Sequence, residues 1–406
     1  MIYLAGALGF LVALLVSVML HEAGHFWTAR RYGMKATQFF VGFGPTLWSR
    51  RRGETEYGVK AIPAGGFVRI VGMTPLEDVE PGDEQRLFYK APLRQKVVVL
   101  AAGSTVHFVI ATLLVLGGTF AIGVQALAAP SVGAPQPCVP AVATDPCAPS
   151  DPVSPAVQAG LAAGDVVVAI DGVPVEDGGL GAIRAVRASP EVPLTLTVER
   201  AGERRDLQIT PVAVTRQALP LPGVPEGATE RVGAVGIALR ENIVTERVGF
   251  VEGLEASAET GKLFATGIKR TVTEKLGTVV DLYSPDRDPE GLIGIVGAGR
   301  ISGEVLASTE TPSVKALSFV LLIASLNLFV GLFNLLPLLP LDGGHIAVAV
   351  YEGARDKARR LRGYRGPLQR VDYTKLLPLT YGVAGSFLLL TLFILGADIV
   401  NPIRIN

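Results

Sequence analysis

The chain has 406 residues, 49% of them hydrophobic and 18% charged, with 37 Lys+Arg balanced by 37 Asp+Glu. That is too apolar for an ordinary soluble enzyme and too charged for a protein built only of membrane spans. Several spans plus a water-exposed domain are expected.

Ile2 to Leu20 carry no charge and are followed by His21-Glu22-Ala23-Gly24-His25, after which Phe26 to Ala29 stay apolar until Arg30-Arg31. The stretch reaches the roughly 20 residues of a helical span. Histidines at i and i+4 share one helical face and can chelate one metal, with the intervening Glu placed as general base. Ionisable groups in hydrocarbon cost roughly 2.5–3.5 kcal/mol each at a helix centre, and by default mark function. Met1-Ile2-Tyr3 lacks a basic n-region, so a cleaved signal peptide is not expected.

Between Gln38 and Met73, short β-type runs alternate with Gly and Pro, including Gly42-Phe43-Gly44-Pro45 and Pro63-Ala64-Gly65-Gly66-Phe67. Hairpins that dip into the membrane beside the site are expected there, since non-helical backbone is tolerated at that depth where protein or a wet cavity satisfies it. An acidic connector, 74–92, leads to a second apolar stretch, Val97 to Ala128. A Pro/Ala-rich linker, 129–152, holds the only two cysteines, Cys138 and Cys147. An even count in an oxidising compartment reads as one disulfide, worth roughly 2.5–3 kcal/mol in the chain-entropy model.

Residues 153–214 contain Ala159-Gly160-Leu161 leading to Gly164-Asp165, a strand to Ile170, a turn at Asp171-Gly172, a short helix near Ile183 to Ala188, a strand from Leu194 to Arg200 and a return from Asp206. This order resembles a PDZ domain, which binds a peptide by strand addition or serves as a scaffold or size filter. Residues 250–280 show helical periodicity in Phe250, Leu254, Leu263, Ile268, Val272 and Leu276. Such a helix either lies on the outer membrane surface or packs on the soluble domain. Third and fourth apolar stretches are Ala316 to Leu341 and Leu376 to Val400.

Lys and Arg set the orientation. Segment 30–96 holds 12 of them and 352–375 holds 8 in 24 residues, against 15 in the 185 residues of 129–313. The two denser segments are expected in the cytoplasm, with both termini and 129–313 outside it. The basic 355–370 stretch is then explained by topology, and nucleic-acid binding has no support. At 1.5 Å per residue, His25 and His21 lie roughly 6 and 12 Å from the cytoplasmic end of the first apolar stretch.

Two histidines under-ligate zinc, whose catalytic sites normally have three protein ligands and an open position. Asp342 is the candidate third ligand, an isolated carboxylate closing the run Asn334-Leu335-Leu336-Pro337-Leu338-Leu339-Pro340-Leu341-Asp342-Gly343-Gly344-His345. Pro337 and Pro340 interrupt the helix and allow the carboxylate to be aimed inward, and metal coordination offsets the cost of its burial. His345 is a rival ligand, expected instead near the cytoplasmic helix end.

With His21-Glu22-x-x-His25, Asn334-x-x-Pro337-x-x-Pro340-Leu341-Asp342-Gly343, the two Gly-rich motifs of 38–73 and the PDZ-like run, the chain resembles the site-2 proteases, intramembrane zinc metalloproteases. It looks most like the actinobacterial members of regulated intramembrane proteolysis that carry one PDZ domain. The resemblance implies one zinc per chain, held by His21, His25 and Asp342, with Glu22 catalytic. It implies substrates that are transmembrane segments, often of anti-sigma factors, already cut by a site-1-type protease. Asn334 is the candidate for binding substrate backbone or the developing oxyanion, and Gly65, Gly66 and Phe67 for pairing with an unwound substrate strand. In one place the chain departs from the pattern: Gly-Pro-x-x-Asn early in the second span is here Gly103-Ser104-Thr105-Val106-His107. His107 then replaces the hydrogen bond of the Asn, meets the zinc shell, or is a satisfied buried histidine.

The expected fold is a polytopic α-helical membrane protein. Its spans are 1–31, 94–128, 314–351 and 376–406. The rest comprises a connector with membrane-associated β-hairpins at 32–93, the cysteine linker at 129–152, one extracytoplasmic PDZ-like α+β domain at 153–214, an extracytoplasmic segment at 215–313 and a basic loop at 352–375. A metal transporter needs polar groups along several spans, and the second and fourth offer only His107 and Asp398. A catalytically silent PDZ adaptor is argued against by the intact His21, Glu22, His25 and Asp342.

Overall fold

The computed structural model describes the chain except residues 75–76, 78, 141–145, 176–178, 220–227, 286, 289–290, 367–369 and 404–406. Arg404 and the side chains of Val272 and Leu276 thus lie outside the described residues. The chain forms two compact units, one of Met1–Val124 with Arg247–Asn406 and one of Gln125–Glu246.

In the first unit, helix α1 (Ile2–Arg31) carries the His-Glu motif in its last third. It ends at Gly33 (φ 76°), with the Met34 N–H returning to the Ala29 carbonyl and the Gly33 N–H to Arg30. Only glycine takes that left-handed position without cost. Strands β1 (Ala36–Arg52) and β2 (Thr55–Ile70) pair antiparallel. Phe40 lies opposite both Phe67 and Gly58, and Arg50 opposite Tyr57, so the two long strands fold over into four short stretches. Their order is 66–70, 36–43, 55–62, 46–52, which leaves 66–70 at one edge.

Helix α2 (Leu93–Ala121) follows and ends short of residue 128, because strand β3 (Val124–Val132) begins the second unit. In that unit helix α3 (Pro155–Gln158), strands β4 (Val166–Ile170) and β5 (Val173–Pro174) and helix α4 (Leu180–Ala188) precede the hairpin β6 (Leu194–Arg200) and β7 (Glu203–Ile209). Strands β8 (Val212–Gln217) and β9 (Thr229–Ala234) pair with each other, and β10 (Leu239–Glu246) closes the unit. The main sheet runs β10-β3-β4-β6-β7. Alternation along β6 turns Leu194, Leu196 and Val198 into a core with Val132, Val167, Ile170 and Ile209. The unit is larger than 153–214, since strands on both flanks complete its sheet. Cys138 and Cys147 form a disulfide within it.

The chain returns to the first unit through helix α5 (Phe250–Arg270), whose Gly253 and Ser257 sit against Phe120 and Thr119 of α2 while Phe250, Val251 and Leu263 stay exposed. Helix α6 (Ile295–Ala307) packs along α1: a Cβ on Gly6 would come within 2.6 Å of the Ser302 carbonyl. Helix α7 (Pro312–Asn334) starts on a Thr311 cap with Pro312 in its first turn. The segment 314–351 is not one helix. It breaks after Asn334, and helix α8 (Asp342–Leu361) begins at the carboxylate. Gly344 permits this, because a Cβ there would lie 2.5 Å from the Leu339 amide nitrogen. Helix α9 (Tyr373–Val400) ends the fold. Helices α1, α2, α7 and α9 are each long and apolar enough to cross a bilayer, and with the β regions they make a multi-pass membrane protein.

Candidate active site

Three side chains from two ends of the sequence converge. His21 and His25 stand one turn apart on α1, and Asp342 is the first residue of α8. The Nε2 atoms of the histidines are 3.1 Å apart, and Asp342 Oδ2 lies 3.4 Å from that of His21 and 3.3 Å from that of His25. Both histidines are 7% exposed, so no bulk water separates these atoms.

His25 Nδ1 lies 2.7 Å from the Val99 carbonyl, which can only accept, so Nδ1 carries the proton and Nε2 of the neutral ring presents a lone pair. Asp342 Oδ2 is buried and hydrogen-bonded to nothing among the described residues, as is His21 Nδ1. Acceptor atoms crowded together in a dry site repel unless a cation joins them. Bonds of 2.0–2.2 Å in a tetrahedral zinc site would set its ligand atoms about 3.3–3.6 Å apart, near the separations of 3.1, 3.3 and 3.4 Å found. His21, His25 and Asp342 are the one metal-type group of three such side chains among the described residues.

Glu22 sits beside this cluster. Its Oε2 accepts a 3.0 Å hydrogen bond from the Val68 N–H, in the edge stretch 66–70. That stretch is pressed onto α1: Gly66 touches Met19, while Phe67 stacks on Phe40 and Phe43 at centroid distances of 5.6 and 6.1 Å. Gly66 and Phe67 thus immediately precede the amide that meets the Glu22 carboxylate, while Gly65 faces the Phe43 ring. Asn334 is the last residue of α7, where the chain breaks toward Asp342; its side chain makes no hydrogen bond among the described residues. His345 lies one turn into α8, 6.4 Å from the Tyr373 ring and outside the cluster.

His107 is buried to 1% exposure and donates from Nδ1 to Asn327 Oδ1 at 2.8 Å. Its ring lies 5.0 Å from that of His21. Sequence reasoning missed Val99 and Val68, which act through backbone atoms that no side-chain motif signals. It also missed Asn327 and Ser17, isolated polar residues in apolar helices that were open to detection on that ground.

The model of peptidase family M50 matches residues 9–370 of the chain. The chain is 37% identical over 412 residues to "Zinc metalloprotease Rip1" of Mycobacterium tuberculosis, covering all of both proteins. It is 37% identical over 428 residues to the protein of the same name in Mycolicibacterium smegmatis, again over full length. It is 30% identical over 372 residues to "Putative zinc metalloprotease all3971" of Nostoc, covering 88% of this chain and 89% of that one.

Proposed function

Because the chain belongs to peptidase family M50, we propose that His21, His25 and Asp342 are the zinc ligands and Glu22 the general base of its reaction. The protein is a zinc metalloprotease of the intramembrane type. The observation that carries the residue assignment is the triangle of 3.1, 3.3 and 3.4 Å between three buried ligand atoms.

Zinc supplies Lewis acidity: it polarises the scissile carbonyl and acidifies water at neutral pH. The chain's own residues do the rest. Glu22 takes the proton of the attacking water and returns one to the leaving amine. Its bond from Val68 aims the carboxylate before substrate arrives. The edge of stretch 66–70 accepts an unwound substrate segment as a further strand. Asn334, with a free amide, donates to the substrate carbonyl as charge develops on it. A helix in a bilayer has no free backbone to offer, so pairing with this edge is also what keeps the unwound segment satisfied.

The substrates are transmembrane segments, anti-sigma factors among them, previously cut by a site-1-type protease. The chain then sits in the bacterial cell membrane, with both termini and unit 125–246 outside the cytoplasm. That unit is PDZ-like: a groove of about 450 Å³ is lined by Ile183 and Val186 of α4 and by Gly236, Ile237 and Leu239 leading into edge strand β10. An extended peptide with an apolar end fits this groove.

Purified Glu22→Gln in proteoliposomes tests the assignment. It is expected to keep one zinc per chain, to lose cleavage of a reporter transmembrane segment by about 10²–10⁴-fold, and to retain the uncut substrate for identification by mass spectrometry. Cleavage at the wild-type rate would sink the role of Glu22.

A further inference from the structure

His25 is aimed by a hydrogen bond from its second nitrogen to Val99, the usual way a metal-ligating histidine is oriented. His21 has no such bond: its Nδ1 is buried without a partner among the described residues. Its ring is held instead by α2. On one side lies Gly103, which abuts both rings: a Cβ there would come within 2.5 Å of His21 Cε1, 2.5 Å of His25 Nε2 and 2.6 Å of His21 Nδ1. One turn on, the ring of His107 tilts over His21 at 5.0 Å and 41°.

His107 is itself fixed from two directions. Its Nδ1 donates to Asn327 Oδ1, and the orientation of that amide is set because Nδ2 donates to Ser17 Oγ at 3.1 Å and to the Ile323 carbonyl at 2.8 Å. Ser17 is the residue one turn before His21. The chain Ser17–Asn327–His107 therefore ties α1, α7 and α2 together around one imidazole, with all three side chains at 4% exposure or less. A leucine pair would fill the same volume without polar atoms to satisfy in hydrocarbon.

We propose that His107 is a positioning residue for His21. Gly103 and His107 form a slot on α2 that fixes the His21 ring by contact, in place of the hydrogen bond that fixes His25. The inference rests on the zinc-ligand reading above.

The test uses full-length protein in detergent, stripped of metal and reloaded with Zn²⁺ or Co²⁺ against a competing chelator. His107→Leu is expected to weaken zinc binding by about 10–100-fold and to shift the cobalt d–d absorption. His107→Gln keeps a donor for Asn327 but lacks the ring, and is expected to behave likewise; it serves where His107→Leu does not fold. The double variant His107→Phe/Asn327→Leu keeps a ring over His21 and removes both polar partners. It is expected to recover most of the lost affinity. Affinity within twofold of wild type and an unchanged cobalt spectrum in His107→Leu or His107→Gln would overturn the proposal. Failure of the double variant to recover would overturn it too. His21→Ala and Asp342→Ala separate the two readings: if they keep tight zinc binding, the ligand assignment has failed, whatever His107 does.

Discussion

Two buried polar clusters in the membrane-spanning unit contain an aspartate, and they are built in opposite ways. At Asp398, near the end of α9, one carboxylate oxygen accepts from the Arg287 guanidinium at 3.0 Å and the other from the backbone N–H groups of Gly294 and Gly297 at 2.9 and 2.8 Å. Arg287 also donates to the carbonyls of Asn401 and Leu292, leaving its Nε without a partner among the described residues. At Asp342, Oδ2 faces two imidazole nitrogens and accepts a conventional hydrogen bond from nothing among the described residues. A saturated carboxylate holds the fold together, whereas an unsaturated one in a dry place is waiting for a ligand. The Asp342 side chain is the more exposed, at 21% against 1% for Asp398, but it is the inventory of partners that gives the two their different roles.

The contrast is broken most sharply by exchanging the two losses. Asp342→Ala should abolish tight zinc binding and reduce cleavage to background while leaving the melting temperature of the metal-free protein near that of wild type. Asp398→Ala should do the reverse. It strands the Arg287 guanidinium in a site only 4% exposed, so stability should fall by about 3–5 kcal/mol, with zinc affinity per folded molecule unchanged. Metal analysis beside thermal unfolding in detergent reads both. If Asp398→Ala lost zinc as completely as Asp342→Ala, the two clusters would not be separate devices. Asp398→Asn sharpens the point with a smaller effect: it still accepts from Gly294 and Gly297, so it should lose roughly half as much stability as the alanine.

The sequence made the Asp342 cluster legible and left the Asp398 cluster obscure, for a physical reason. His21, Glu22 and His25 lie within one helical turn, so spacing reports geometry. Pro337, Pro340 and Gly343 around Asp342 announce a broken helix with an inward carboxylate. The partners of Asp398 are a distant arginine and two glycine N–H groups, and no local pattern encodes them. The same divide runs through the site. Ser104 and His107 were visible as departures from a family motif, but the meaning of His107 depends on Asn327, 220 residues away. The folding-over of β1 and β2 was foreseeable from Gly42, Gly44 and Gly65; which edge would meet Glu22 was not. In unit 125–246 the strands from Leu194 to Ile209 were readable by alternation, whereas β3 and β10 were not, because neighbouring strands rather than local spacing complete that sheet.

Asp165 extends the comparison to a third carboxylate, in unit 125–246. It follows Gly164 and is side-chain buried to 1%, with Arg200 bonding both of its oxygens at 2.6 and 2.7 Å and the Ala162 N–H adding a third bond. Arg200 holds this carboxyl below its ordinary value of 3.8. The sign follows from linkage: a carboxylate with a lowered folded value adds stability that is complete above the ordinary value and disappears as pH falls through the folded one. Because Arg200 is a third exposed, screening trims the gain, and Asp165→Asn should cost about 1–2 kcal/mol near neutrality. Hydrogen exchange in peptides covering 194–209 reads this locally in the full chain. Wild type and variant should differ near neutral pH and converge as the medium is acidified below 3.8. A difference that persists undiminished into strong acid would mean that the pair acts through packing, and that saturation of Asp165 contributes shape rather than charge.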